Sequence, residues 1–97
     1  PVTIVEYGPG TGVFTRYLAN ELHPDSTILA IELHEPFHRE LCQWLAGTQT
    51  RARVILEHSS CTEVRTLLKK HGLENADFAI SGIPFSVFSE SLRSEIL

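Results

Sequence analysis

The hydrophobic pattern of the chain alternates between short apolar runs and segments with helical spacing. The apolar runs, which resemble strands buried on both faces of a sheet, are residues 3–5, 27–31, 53–56 and 77–81. Between these runs, apolar residues recur every three or four positions, which predicts helices that each present one apolar face to the sheet. The predicted order therefore begins with a strand and alternates strand and helix as far as a fourth strand.

Turn-forming and capping residues mark the ends of the predicted helices. We expect Pro36 at the first position of the second helix and Gly47 at its end. Ser60 and Glu63 have the spacing of a capping box for the third helix, which Gly72 closes. For the first helix, the residues expected on the apolar face are Val13, Phe14, Tyr17, Leu18 and Leu22.

Apolar strands that alternate with helices predict an α/β fold with a parallel sheet covered on both faces. Because crossover connections are right-handed, we expect a Rossmann-like, doubly wound sheet with strand order 3-2-1-4. The 97 residues fit one domain, residues 1–97. The chain contains no methionine and opens directly on a strand, so we expect it to be part of a longer polypeptide.

Charge and composition exclude several classes of function. The chain carries 8 basic and 12 acidic residues, and this mild acidity argues against a nucleic-acid partner. No apolar run approaches the roughly 20 residues that cross a bilayer. The two cysteines, Cys42 and Cys61, match no zinc pattern and are expected to be free thiols, which favours a cytoplasmic location.

One short motif suggests a metal site, but its context argues against it. His34-Glu35-Pro36-Phe37-His38 matches the H-E-x-x-H signature of zinc proteases. That chemistry needs both histidines on one face of a continuous helix. Because Pro36 is expected to begin the helix, His34 is left in the preceding loop, and we predict no metal.

The strongest chemical signal is a glycine-rich segment between the first strand and the first helix, Glu6-Tyr7-Gly8-Pro9-Gly10-Thr11-Gly12. Such glycines let the backbone turn sharply and approach a ligand, next to the free N–H groups of a helix N-terminus. A dinucleotide-binding motif would need glycine at Val13, so the pattern is G-x-G-x-G instead. Glu32 ends the second strand, where a carboxylate can accept hydrogen bonds from both hydroxyls of a ribose.

With these features the chain resembles the class I S-adenosylmethionine-dependent methyltransferases, most closely the bacterial phospholipid N-methyltransferases. The chain resembles the ribosomal RNA adenine dimethylases more distantly. The segments that carry the resemblance are residues 6–12, Glu32, the loop after the third strand, and residues 81–85. The resemblance implies that this chain supplies four strands, the N-terminal half, of a seven-stranded sheet.

The resemblance also implies which residues bind the cofactor, S-adenosyl-L-methionine. The residues implied are Glu6, Gly8, Gly10, Thr11 and Gly12 for the methionine part, Glu32 for the ribose with Leu33 beside it, and Ser60 and Cys61 against the adenine. Methyltransferases often have aspartate where this chain has Ser60, and a serine hydroxyl is a weaker acceptor than a carboxylate. Ser60 therefore has two open interpretations, an adenine contact or the N-cap of the third helix.

The resemblance places the methyl acceptor near Ser81, Pro84 and Phe85. Gly82 stands where the RNA enzymes have an asparagine that accepts the target amine, which favours a lipid-headgroup amine over RNA. Phe85 could equally be a hydrophobic plug. The alternatives left open are an rRNA adenine N-methyltransferase and a non-catalytic cofactor- or partner-binding module.

Three expectations concern the chain in its wider setting. We expect it to act in the cytoplasm, with a peripheral position at the inner membrane surface open to it. We expect weak cofactor binding and poor turnover from these residues alone. The edge of the fourth strand is a candidate surface for self-association, because an exposed edge can pair with another strand.

Overall fold

The computed structural model describes residues 1–81, which form a four-stranded parallel sheet with the order β3-β2-β1-β4. The strands are β1 (Thr3–Tyr7), β2 (Thr27–Glu32), β3 (Arg53–His58) and β4 (Phe78–Ser81). The helices are α1 (Val13–Glu21), α2 (Glu35–Ala46) and α3 (Val64–Lys70), and a 3-10 turn, Cys61–Glu63, precedes α3. The predicted Rossmann-like α/β fold and its strand order are confirmed.

Alternate residues of β1, β2 and β3 enter two separate cores, one on each face of the sheet. Ile4 and Ile28 pack with Leu18 and Ala19 of α1, and Trp44 of α2 joins the same cluster. The opposite face packs against α3, and its buried residues are Val5, Tyr7, Leu29, Ile31, Ile55, Val64 and Leu67. Strands that are apolar on both faces therefore need helices on both sides, which explains their continuous hydrophobic runs.

The register of the sheet brings its functional ends together. Tyr7 lies beside Ile31 of β2 and Ser81 of β4, so three strands end at nearly the same level. The Gly8 N–H donates to the Ile31 carbonyl over 2.9 Å and ties the glycine-rich segment to β2. Residues that follow different strands therefore meet at this carboxyl edge.

The apolar face predicted for α1 is wrong for its first turn. Three residues expected to be buried are exposed: Val13 by 79%, Phe14 by 47% and Tyr17 by 59%. The side that meets the sheet instead carries Thr15, Leu18 and Ala19, and Leu22 lies partly buried against the same core. Because Thr15 and Ala19 are weakly hydrophobic, the sequence pattern favoured a stripe rotated by one residue.

Two helix starts also differ from the prediction. Helix α2 begins at Glu35, so Pro36 is its second residue, although His34 does lie outside the helix as expected. The Ser60 hydroxyl accepts from the Thr62 N–H over 3.2 Å and caps the 3-10 turn, one turn before α3 begins. The predicted cap is thus real but belongs to a different element.

Pro84 and Phe85 of the acceptor loop fall outside the described residues, as does Gly82. Within residues 1–81, no helix has the length and apolar character needed to cross a bilayer.

Candidate functional site

The glycine-rich segment after β1 depends on left-handed backbone at three positions. Gly8, Gly10 and Gly12 have φ angles of +62°, +63° and +85°, a backbone region that residues other than glycine rarely adopt. A Cβ on Gly12 would lie 2.2 Å from Leu41 Cδ2, so this glycine lets the segment pack on α2. A Cβ on Gly10 would meet no atom within 4 Å. The space beside Gly10 is therefore open to a ligand.

Glu32 links the glycine-rich segment to the start of α2. Its side chain is only 6% exposed. Oε1 accepts from the Gly10 N–H over 2.7 Å, and Oε2 accepts from the His34 N–H over 2.9 Å. Each carboxylate oxygen can accept a second hydrogen bond, so Glu32 can hold the segment and still receive two hydroxyl groups.

Glu6 is a second buried carboxylate, on the same face of the sheet as Glu32. It is 3% exposed, and its Oε1 accepts a hydrogen bond from the Thr15 hydroxyl. Burial raises the pKa of Glu6, the negative charge of Glu32 adds to the rise, and the hydrogen bond from Thr15 opposes it. A buried carboxylate with a raised pKa at a sheet edge marks a candidate functional group.

A cavity of about 440 Å³ lies between α1 and the carboxyl ends of β1 and β4. Glu6, Thr11, Phe14 and Ser81 are among the residues that line it. The fold thus brings the predicted acceptor-loop residue Ser81 to the same cavity as Glu6. A larger cavity of about 840 Å³ lies on the α3 face and contains none of the predicted site residues.

The residues predicted to lie against the adenine, Ser60 and Cys61, are in the segment after β3. The Ser59 N–H donates to the Glu32 carbonyl over 3.2 Å, which brings this segment beside the end of β2. Ser60 uses its hydroxyl on its own turn, as described above, and Cys61 packs against the core on the α3 face. Leu33 is exposed, and its carbonyl lies 3.1 Å from His58 Nε2.

The histidines of the H-E-x-x-H motif are arranged differently from a zinc site. The His38 ring stacks on His58 at a centroid distance of 5.2 Å, and its Nε2 lies 3.4 Å from Cys42 Sγ. The His34 ring meets Phe37 edge to face. In the part of the chain that the structure describes, no group of three or more histidine, cysteine or acidic side chains is placed to hold a metal ion.

Comparison with known proteins identifies a relative with a named activity. The chain is 31% identical over 93 residues to an ornithine lipid N-methyltransferase from Singulisphaera acidiphila. The predicted resemblance to bacterial phospholipid-type N-methyltransferases is confirmed. The match covers 96% of this chain and 47% of the relative, so the chain spans about half the length of that protein. No protein-family model matches the chain.

The residues at the carboxyl edge fit, in their chemistry, S-adenosylmethionine, the cofactor that the sequence resemblance implies. That molecule carries a cationic ammonium and sulfonium as well as a ribose diol. Two buried carboxylates are present, Glu6 at the start of the glycine-rich segment and Glu32, which accepts a hydrogen bond from Gly10 of that segment. The open space at Gly10 allows close approach of a ligand to the backbone.

Thr15 is the residue of this region that the sequence analysis missed. It stands three positions after Gly12, is fully buried, and contacts Glu6 directly. The available signal was its position: residues 15, 18, 19 and 22 have the spacing of one helix face. A polar residue on that stripe, close to a buried acid, indicates a specific hydrogen bond.

Proposed function

We propose that residues 1–97 belong to the cofactor-binding domain of an S-adenosylmethionine-dependent methyltransferase that methylates the headgroup amine of a lipid. The observation that carries this proposal is the junction of Gly10 and Glu32. The Gly10 N–H donates a hydrogen bond to the buried Glu32 carboxylate at the end of the adjacent strand, and the space beside Gly10 is open. The similarity to an ornithine lipid N-methyltransferase supports the lipid as acceptor.

In this proposal the chain holds the cofactor at the carboxyl ends of β1 and β2. Glu32 would accept hydrogen bonds from the ribose hydroxyls through its remaining lone pairs. Glu6 would face the ammonium of the methionine part, and Gly8 to Gly12 would supply backbone contact. Leu33, Ser60 and Cys61 would lie towards the adenine.

When bound, S-adenosylmethionine supplies a methyl group made electrophilic by its sulfonium sulfur. The main task of the chain is then to align that methyl group with the acceptor nitrogen, which is catalysis by proximity and orientation. The acceptor would enter from the side of β4, because Ser81 lines the same cavity as Glu6. Since a lipid acceptor resides in a membrane, we place the reaction at the inner membrane surface.

The test measures methyl transfer and cofactor binding together. The full-length protein that contains residues 1–97, and its variants Glu32→Gln and Gly10→Asp, are given labelled S-adenosylmethionine and one of three acceptors: vesicles with ornithine lipid, vesicles with phosphatidylethanolamine, or ribosomal RNA. We expect label in lipid with the wild type only. Label in RNA alone would support the adenine N-methyltransferase alternative. Cofactor binding without transfer to any acceptor would support a non-catalytic binding module.

A further inference from the structure

Thr15 is a fully buried polar residue on the sheet-facing side of α1. Its neighbours on that side, Leu18 and Ala19, are apolar and pack into the core. A buried hydroxyl is unfavourable unless it is hydrogen-bonded. The Thr15 hydroxyl donates to Glu6 Oε1, so this helix is joined to β1 by a side-chain bond to a candidate site residue.

The surroundings of Glu6 make this hydrogen bond important for the carboxylate. Among the described residues, Glu6 has no ion pair with a lysine or arginine. The charged group that acts on Glu6 is Glu32 of β2, which repels it. The β4 residues beside the cavity, Ile80 and Ser81, carry no charge. Burial and the nearby Glu32 therefore disfavour the charged form of Glu6, whereas the hydrogen bond from the Thr15 hydroxyl favours it.

We propose that Thr15 is a positioning residue of the methyl-donor site, whose hydroxyl holds the Glu6 carboxylate charged and directed to the cavity between α1, β1 and β4. There Glu6 receives the ammonium group of the donor's methionine part. This inference rests on the proposed function, because it takes S-adenosylmethionine as the ligand. Thr15 itself need not touch the ligand.

The inference makes a prediction about pH that a purely structural role does not make. A hydrogen bond donated to a carboxylate favours its ionised form, so the loss of the Thr15 hydroxyl raises the pKa of Glu6 further. An ammonium ligand is held by the ionised form. The pH below which ligand binding weakens should therefore move upward when the hydroxyl is removed.

The test uses calorimetric binding of S-adenosylhomocysteine, which keeps the ammonium, across the acidic to neutral range. Thr15→Val removes the hydroxyl with little change of shape, and Thr15→Ser retains it. We expect Thr15→Val to bind about tenfold more weakly at neutral pH, the typical effect of losing a hydrogen bond to a charged group. The acidic limb of its binding profile, where binding weakens as the pH falls, should lie at higher pH than that of the wild type. Thr15→Ser should restore both the affinity at neutral pH and the position of this limb.

Leu18→Ala is the matched control, because it removes buried contacts from the same side of α1 and leaves the hydrogen bond from Thr15 to Glu6 in place. An NMR titration of the Glu6 carboxyl provides a second measurement that needs no ligand. If Thr15→Val does not fold, Thr15→Ala takes its place in both measurements.

The outcomes separate this inference from the proposed function. A wild type that binds, together with a Thr15→Val variant of equal affinity and unchanged pH profile, would overturn the role of Thr15 alone. An equal shift of the acidic limb in Leu18→Ala would also overturn it. If the wild type binds no S-adenosylhomocysteine, the cofactor assignment fails and the role of Thr15 fails with it.

Discussion

Two glutamates in the sheet, Glu6 of β1 and Glu57 of β3, are in opposite electrostatic environments. Glu57 Oε1 accepts from Lys70 Nζ over 2.9 Å and from His71 Nε2 over 2.8 Å. The hydrogen bond from Lys70 is the main cause that lowers the pKa of Glu57. Glu6 instead has a neutral hydroxyl as partner and a carboxylate as its charged neighbour, and its pKa is raised.

This contrast separates a carboxylate that stabilises the fold from one that is available to a ligand. Around Glu57, the ammonium of Lys70 in α3 balances the charge and His71 after the helix adds a hydrogen bond, so the protein supplies its own partners. Around Glu6 and Glu32, the described partners are a hydroxyl and backbone N–H groups. Uncompensated buried acids are typical of functional sites, and a cationic ligand would supply the missing charge.

The largest change in stability is expected when Gly12 or Gly10 of the glycine-rich segment beside Glu6 is replaced by alanine. Gly12→Ala combines a positive φ with a clash against the buried Leu41, so we expect the free energy of unfolding to fall by about 2–4 kcal/mol. Gly10→Ala has open space and should lose only about 1–2 kcal/mol from backbone strain. Urea unfolding of both variants measures the difference. Equal losses would contradict the assignment of Gly12 to packing and Gly10 to ligand approach.

Glu32→Gln is expected to weaken binding of S-adenosylhomocysteine about tenfold or more. The amide replaces one acceptor oxygen with a donor, which then faces the N–H of Gly10 or His34, and a buried donor without an acceptor is unfavourable. Isothermal calorimetry measures the affinity. Glu57→Gln is the matched control on the neighbouring strand and should bind as the wild type does. A similar loss in both variants would mean that Glu32 acts only through the stability of the sheet.

The two environments also predict opposite dependences of stability on pH. The raised pKa of Glu6 means that its ionisation opposes folding, so Glu6→Gln should gain stability over the wild type as pH rises above the ordinary value of 4.5. The lowered pKa of Glu57 means that its stabilisation is complete above 4.5 and is lost as pH falls through the folded-state pKa. Glu57→Gln should therefore be less stable than the wild type by about 0.5–1 kcal/mol at neutral pH.

Thermal unfolding across the acidic to neutral range measures both effects. The difference between Glu57→Gln and the wild type should disappear in strong acid, where both side chains are neutral. Glu6→Gln should combine higher stability at neutral pH with weaker ligand binding. If both glutamine variants changed stability in the same direction at neutral pH, the contrast between the two sites would be wrong.

The smallest effect is expected at Ser60. Ser60→Ala removes the hydroxyl that accepts from the Thr62 N–H, and the loss of such a cap lowers stability by about 0.5–1 kcal/mol. Binding of S-adenosylhomocysteine distinguishes the two interpretations of this residue. Unchanged affinity supports the cap alone, whereas weaker binding supports an adenine contact as well.

The sequence predicts the fold well because the strands and crossovers follow strong rules. Continuous apolar runs identify buried parallel strands, and right-handed crossovers leave few strand orders to consider. The face of α1 is harder to predict because hydrophobicity ranks Phe14 and Tyr17 above Thr15, whereas the fold buries Thr15. The preference of Thr15 for the sheet depends on a hydrogen bond to Glu6, nine residues earlier, and periodicity contains no information on such pairs.

The candidate site shows the same limit. The spacing of Gly8, Gly10 and Gly12 predicts a sharp turn of the backbone, and in the structure all three glycines adopt positive φ. The bond between Gly10 and Glu32 depends on the pairing of β1 with β2 and emerges only from the folded sheet. For Ser60 and Glu63 the sequence correctly predicts a cap but not the element that it caps. The Ser60 side chain caps the 3-10 turn that precedes α3 and not α3 itself.

Whether this sheet edge binds the methyl donor is tested by calorimetric titration of the 97-residue chain with S-adenosylhomocysteine, beside the variant Gly10→Asp. An aspartate at Gly10 would place a side chain in the open space and a further negative charge near Glu32. We expect measurable binding by the wild type and its loss in the variant. Absence of binding by both proteins, with both folded, would contradict the assignment of this sheet edge to a methyl donor.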